Sequence, residues 1–191
     1  MGAPSALSQK VVTWAQGQVG KNVGAGECWD LANSALKQAG AQTSNDLGPT
    51  GPDDDYVWGD VVADPKDALP GDVVQYRDWE MTTTTRTEVT FKDDAGWFEE
   101  PFKTIGHAHH TAIVVANPGN GALTVLEQNH LGNHERVRQS GIRWKDAATR
   151  TTTTRQMMKR RDNGKTELAT VTVTVDVTVS GTLTVYRPLK K

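Results

Sequence analysis

Cysteine occurs once in 191 residues, at Cys28. A lone thiol excludes an intramolecular disulfide and every multi-cysteine zinc site, so Cys28 is either packed or reactive. An excess of one charge is also missing: 21 Lys plus Arg stand against 23 Asp plus Glu, a formal net charge of -2. That balance gives no electrostatic reason to expect a nucleic-acid or membrane-surface partner. No apolar run nears the length needed to cross a bilayer. The opening residues, Met1 to Trp14, lack the basic stretch and apolar segment of a secretory signal. The expectation is cytoplasmic synthesis, with phage lysis or a specialised secretion system as the route of any export. No 20–50-residue repeat is present that would indicate a solenoid or propeller.

The length suits a single domain, residues 1–191, with a full core. Ser5 can cap a helix running to about Val19, with Val12, Ala15 and Val19 on one face and Gly20 closing it. The loop Val23-Gly24-Ala25-Gly26-Glu27 leads into a second helix whose stripe is Cys28, Leu31, Ala32, Ala35, Leu36 and Ala39, ended by Gly40. From Asn45 to Asp67, Gly-Pro pairs and an Asp run break any periodicity, so this segment crosses irregularly to a β half.

After the turn Leu69-Pro70-Gly71, nearly every residue has strand character, beginning with Asp72 to Tyr76. A central hairpin is predicted from His110 to Ala116, a turn at Asn117 to Gly121, and Ala122 to Asn129. Two threonine-rich stretches, near 79–106 and 147–179, read as long two-stranded β arms inserted into the domain, and their threonine runs could be partners in one sheet extension. Ser180-Gly181 is expected to turn into a last strand, Thr182 to Tyr186. Helices first and strands later is the order of an α+β domain.

A thiol attacks as thiolate, and a helix N-terminus favours negative charge while offering free N–H groups to an oxyanion. Cys28 sits where a glycine-containing loop becomes a helix, although free cysteine at the start of an apolar stripe is also a common core residue. His110, at the mouth of an apolar strand, is a candidate general base. Across the hairpin lies Glu127-Gln128-Asn129, from which antiparallel pairing returns one polar residue to the imidazole. Pairing Ala116 with Ala122 puts Gln128 opposite His110; a shift by one brings Glu127 or Asn129 instead, and the shifted register is preferred.

Glu27-Cys28-Trp29, Leu69-Pro70-Gly71-Asp72-Val73-Val74, His110-Thr111-Ala112-Ile113-Val114-Val115 and Glu127-Gln128-Asn129 follow one another in the order and approximate spacing of the CHAP family, within the wider NlpC/P60 group. The chain resembles a CHAP-type amidase from about Val11 to Asn129, and the threonine-rich arms fall outside the likeness. The resemblance implies a papain-like α+β fold with N-terminal helices on an antiparallel sheet. It implies a catalytic set of Cys28, His110, Glu127 and Asn129, with no metal and no organic cofactor. It also implies amide hydrolysis, most often of peptidoglycan, by a phage-type lysin or an antibacterial effector with an immunity or delivery protein as partner.

Trp29, Gln128 and His109 are the expected substrate-binding residues, with Trp29, beside the nucleophile, lining the cleft. His107, His109 and His110, with His130 or His134, could be a metal cluster, but adjacent strand residues point to opposite faces. Asp53-Asp54-Asp55 lacks the spaced ligands of a calcium loop and reads as solvated. Two other functions compete with the peptidoglycan hydrolase: a thiol hydrolase or acyl transferase acting on a protein or small-molecule amide, and a non-catalytic binding module in which Cys28 is only core.

Overall fold

The computed structural model describes residues 2–51, 53–146 and 151–191, with backbone alone at Ala95 and Thr151. Helix α1 spans Ala6–Gln16 and is capped by Ser5, whose Oγ accepts from the Ser8 N–H at 3.0 Å. It ends earlier than its apolar spacing predicts. Gly17 closes it, Val19 is half exposed, and the Gly20 N–H is taken by the Val137 carbonyl instead. Helix α2, Cys28–Ala39, follows the expected stripe: Leu31, Ala32, Ala35, Leu36 and Ala39 are buried, and Gly40 in the left-handed region terminates it. A single turn, α3 at Ser44–Leu47, and a 3₁₀ turn at Pro65–Asp67 punctuate the otherwise irregular crossing.

The remainder is one antiparallel sheet. Its strands are β1 (Asp60–Val61), β2 (Val73–Phe91), β3 (Asp94–Glu99), β4 (Phe102–Gly119), β5 (Ala122–Glu127), β6 (Arg138–Arg143), β7 (Thr151–Arg160) and β8 (Thr166–Arg187). The order is β1-β8-β2-β4-β5-β6, with β3 added to β2 and β7 added to β8. One face packs against α1 and α2 through Val73, Ile113 and Leu126, alongside Leu31, Ala35 and Leu36. The alternate residues Val74, Tyr76, Ala112, Val114 and Val125 form a second core on the other side. This two-sided burial explains why these strands are apolar at consecutive positions.

Three expectations are corrected. The hairpin turn is tighter than predicted, with Asn120 and Gly121 both in the left-handed region at φ 55° and 74°, the geometry of a type I′ turn. There is no turn at Ser180-Gly181, because β8 runs unbroken through both residues. A register shift between Arg77 and Glu80 accommodates them, and Gly181 packs so close to Asp78 that a Cβ would lie 2.0 Å from the Asp78 carbonyl oxygen. Finally, the arms do share one sheet extension, but their threonine runs are not each other's partners. Thr82–Thr85 pair with residues 175–178 of β8, and Thr151–Thr154 pair with residues 172–175 on its other edge. The result is a single multi-stranded extension with a small core of its own: Val89, Phe91, Ala169 and Val171. The first four residues of the predicted second arm, 147–150, lie outside the described residues.

Candidate active site

The site forms where the end of β5 meets the start of α2. Gln128, the residue after β5, is fully buried and ties down the loop before Cys28: its Oε1 accepts from the Val23 N–H at 2.7 Å, and its Nε2 donates to the carbonyls of Val23 at 3.0 Å and Glu27 at 2.8 Å. Asp30, in the first turn of α2, accepts from the N–H groups of Ala25 at 2.8 Å and Glu27 at 3.1 Å. Asn129, at φ 58°, donates to Glu27 Oε2 at 2.7 Å and accepts from the His134 N–H at 2.7 Å. These contacts bring the half-buried Cys28 to the end of the sheet. There it shares a cleft of about 800 Å³ with Trp29, Tyr56, His107, His109 and His110.

The shifted register holds beside the imidazole. Irregularities between Val114 and Gly119 in β4 set Ala112 opposite Glu127, so that His110, two residues from Ala112, has Glu127 as its diagonal neighbour on the same face. Oε2 of Glu127 lies 3.2 Å from His110 Nε2, with both side chains about 2% exposed. The carboxylate's other oxygen accepts from Arg138 Nη2 at 3.0 Å and from the Ser140 hydroxyl in a short hydrogen bond. With Nε2 committed to Glu127, Nδ1 is the ring nitrogen left for the thiol.

Electrostatics favour the charged form of this pair. Burial opposes charge on His110, but the neighbouring Cys28 and the hydrogen bond with the Glu127 carboxylate outweigh it and raise its pKa to about 9. Burial likewise works against an ionised Glu127, yet hydrogen bonds from His110 and Ser140, the imidazolium charge and Arg138 hold it at about 2.

The structure separates the remaining sequence candidates. Trp29 and His109 line the cleft, Trp29 donating to Ser44 Oγ at 2.8 Å and His109 Nε2 lying 2.9 Å from the Gln75 amide nitrogen. Gln128 lies outside the cleft lining: its amide is spent on backbone groups of the Cys28 loop, so it is placed as a brace and not as a substrate contact. Asn129 turns to Glu27, leaving the imidazole to Glu127. Arg138, Ser140 and Tyr56 escaped the sequence reading. The first two come from a strand with no apolar signature, and nothing in the sequence ties Tyr56 to the nucleophile loop.

His107, His110 and Glu127 place their ligand atoms within 4.8 Å of one another. As a cation cage the trio is poorly disposed. The imidazoles are stacked 4.1 Å apart and inclined by only 15°, so their in-plane lone pairs run side by side and do not converge on one point.

Cys28 at the start of α2 and His110, backed by the buried Glu127, line one cleft, and comparison with known families bears on the fold that holds them. The whole chain, residues 1–191, matches the family described as "AIM3/BBC1 Cysteine proteinase-fold domain". The chain belongs to that family. It is 30% identical over 146 residues to Altered inheritance of mitochondria protein 3 of the yeast Debaryomyces hansenii; the match takes in 71% of this chain and 14% of that protein. The chain therefore spans only a small part of the length of this curated relative. No solved structure matches it. AIM3/BBC1 membership replaces the CHAP and NlpC/P60 assignment: the cysteine proteinase fold stands, whereas the peptidoglycan substrate and the lysin or effector roles find no support in a family with a yeast member.

Proposed function

We propose that this AIM3/BBC1 domain is a cysteine hydrolase or acyl transferase acting on amide or activated acyl groups of a protein or small molecule. The reading is carried by one observation: Cys28 and His110 line the same cleft while Glu127 grips the far side of the imidazole. With the thiol proton held on His110 Nδ1, Cys28 Sγ attacks as the thiolate and bonds to the acyl carbon. N–H groups of the first turn of α2, which have no partner within the helix, are suited to hold the oxyanion. Collapse breaks the bond to the leaving group, which receives the proton from His110. Water, or an acceptor amine, then releases the thioester, with His110 again taking the proton.

The decisive experiment treats the purified chain with p-nitrophenyl acetate and follows both p-nitrophenol and intact mass. A burst of one equivalent with an acetyl adduct on Cys28, lost in Cys28→Ala and slowed about 10²-fold or more in His110→Ala, supports the assignment. Absence of an adduct, together with iodoacetamide alkylation of Cys28 no faster than that of free cysteine, would leave a non-catalytic binding module as the better reading.

A further inference from the structure

His110 is held at one ring nitrogen by Glu127 at 3.2 Å. One hydrogen bond fixes a point on an imidazole and leaves its plane free, because the second side-chain torsion of histidine has a broad potential. The plane is set by a neighbour that the mechanism above does not use. The His107 ring lies parallel to His110, with centroids 4.1 Å apart and an inclination of 15°. Trp79 backs His107 from its other side at 5.7 Å and 13°. Tyr76 closes the edge of this column, tilted against all three rings at 5.2 to 5.6 Å. His107 and Trp79 are both buried.

Strict alternation along β4 would put residues 107 and 110 on opposite faces. They share a face here because the β2–β4 pairing lapses at Asp78 and Ala108, where Asp78 takes φ 49° and β2 shifts register against β8. The column is therefore a built feature of the bulge.

We propose that His107 is a positioning residue: a flat plate that fixes the plane of His110 so that Nδ1 faces Cys28 while Nε2 keeps Glu127. The proposal rests on the catalytic reading of Cys28 and His110. His107 suits the task electrically. Burial and the His110 charge hold its pKa down at about 4 despite the nearby Glu127, with His130 and Arg138 acting in the same sense, so it stays neutral at physiological pH. It also leaves the carboxylate to His110, since its Nε2 stops 3.8 Å from Glu127 Oε2.

The test compares His107→Phe, which keeps a plate without nitrogens, with His107→Gln, which keeps polarity without a plate. Two readouts are used: the pH profile of Cys28 alkylation by iodoacetamide, and the titration of the His110 ring followed by NMR. The proposal expects Phe to follow wild type, and Gln to react about tenfold or more slowly with a displaced His110 titration, as loss of reactive alignment requires. A Gln variant that alkylates and titrates like wild type overturns it. So does a Phe variant as impaired as Gln at equal melting temperature. Should either variant fail to fold, Trp79→Leu removes the support of the plate without touching Glu127, and is read by the same criteria. If wild-type Cys28 itself proves unreactive, the catalytic reading fails, and the His110 titration alone still decides whether His107 positions the ring.

Discussion

Glu127 pairs across the sheet with Ala112, yet its carboxylate meets the imidazole of His110, 3.2 Å away on the diagonal. The same carboxylate carries Arg138 and Ser140 on its other oxygen, so one buried charge serves three partners. Removing that charge is more disruptive than removing any one of its contacts.

Glu127→Gln keeps the shape and removes the charge. His110 then loses the anion that favours its protonated form, and Arg138 loses its only cross-strand carboxylate among the described residues. The expected cost is about 3 kcal/mol of stability, as for other broken buried pairs, and it should be accompanied by slower Cys28 alkylation. Urea unfolding and iodoacetamide kinetics measure the two.

Stability should pass through a maximum near pH 6.5, because the two stacked histidines are shifted in opposite directions. His110 is raised to about 9, so its contribution is complete below the unfolded value of 6.5 and is lost as pH rises toward 9. His107 is lowered to about 4, so the folded state resists its protonation and stability declines as pH falls from 6.5 toward 4. Denaturant melts across pH 4 to 9 read both limbs. His107→Phe should flatten the acid limb and His110→Phe the alkaline one.

Gln128→Leu preserves volume but strips the partner from the Val23 N–H and one of two donors from each of the carbonyls of Val23 and Glu27, which keep the Gly26 and Asp30 N–H groups. Buried groups left unpaired cost about 1–3 kcal/mol each, although the loop can relax part of this. The domain should lose several degrees of melting temperature. Cys28 should alkylate more slowly even though Gln128 lies outside the cleft lining.

Gly181→Ala tests the continuity of β8. The added methyl group would meet the Asp78 carbonyl at 2.0 Å, and at φ 76° alanine is strained in any case. A loss of more than about 1 kcal/mol is expected by calorimetry.

Much of this molecule was legible from local pattern alone. The single cysteine at a loop-to-helix junction, the stripe of α2 ended by Gly40, the hairpin around Asn120-Gly121 and the placing of His110 beside a Glu-Gln-Asn step all follow from short-range periodicity and turn chemistry. Other features needed the tertiary structure because they depend on irregularities that the sequence does not mark. Bulges in β4 decide that Glu127 and not Gln128 serves His110, and the kink at Asp78 brings His107 onto the face of His110. Two threonine runs with the same local signature join opposite edges of one strand, since β pairing over such distances is settled by which edges packing leaves free. Residue type and spacing marked out Cys28 and His110; the choice of the residues that support them belonged to the register of the sheet.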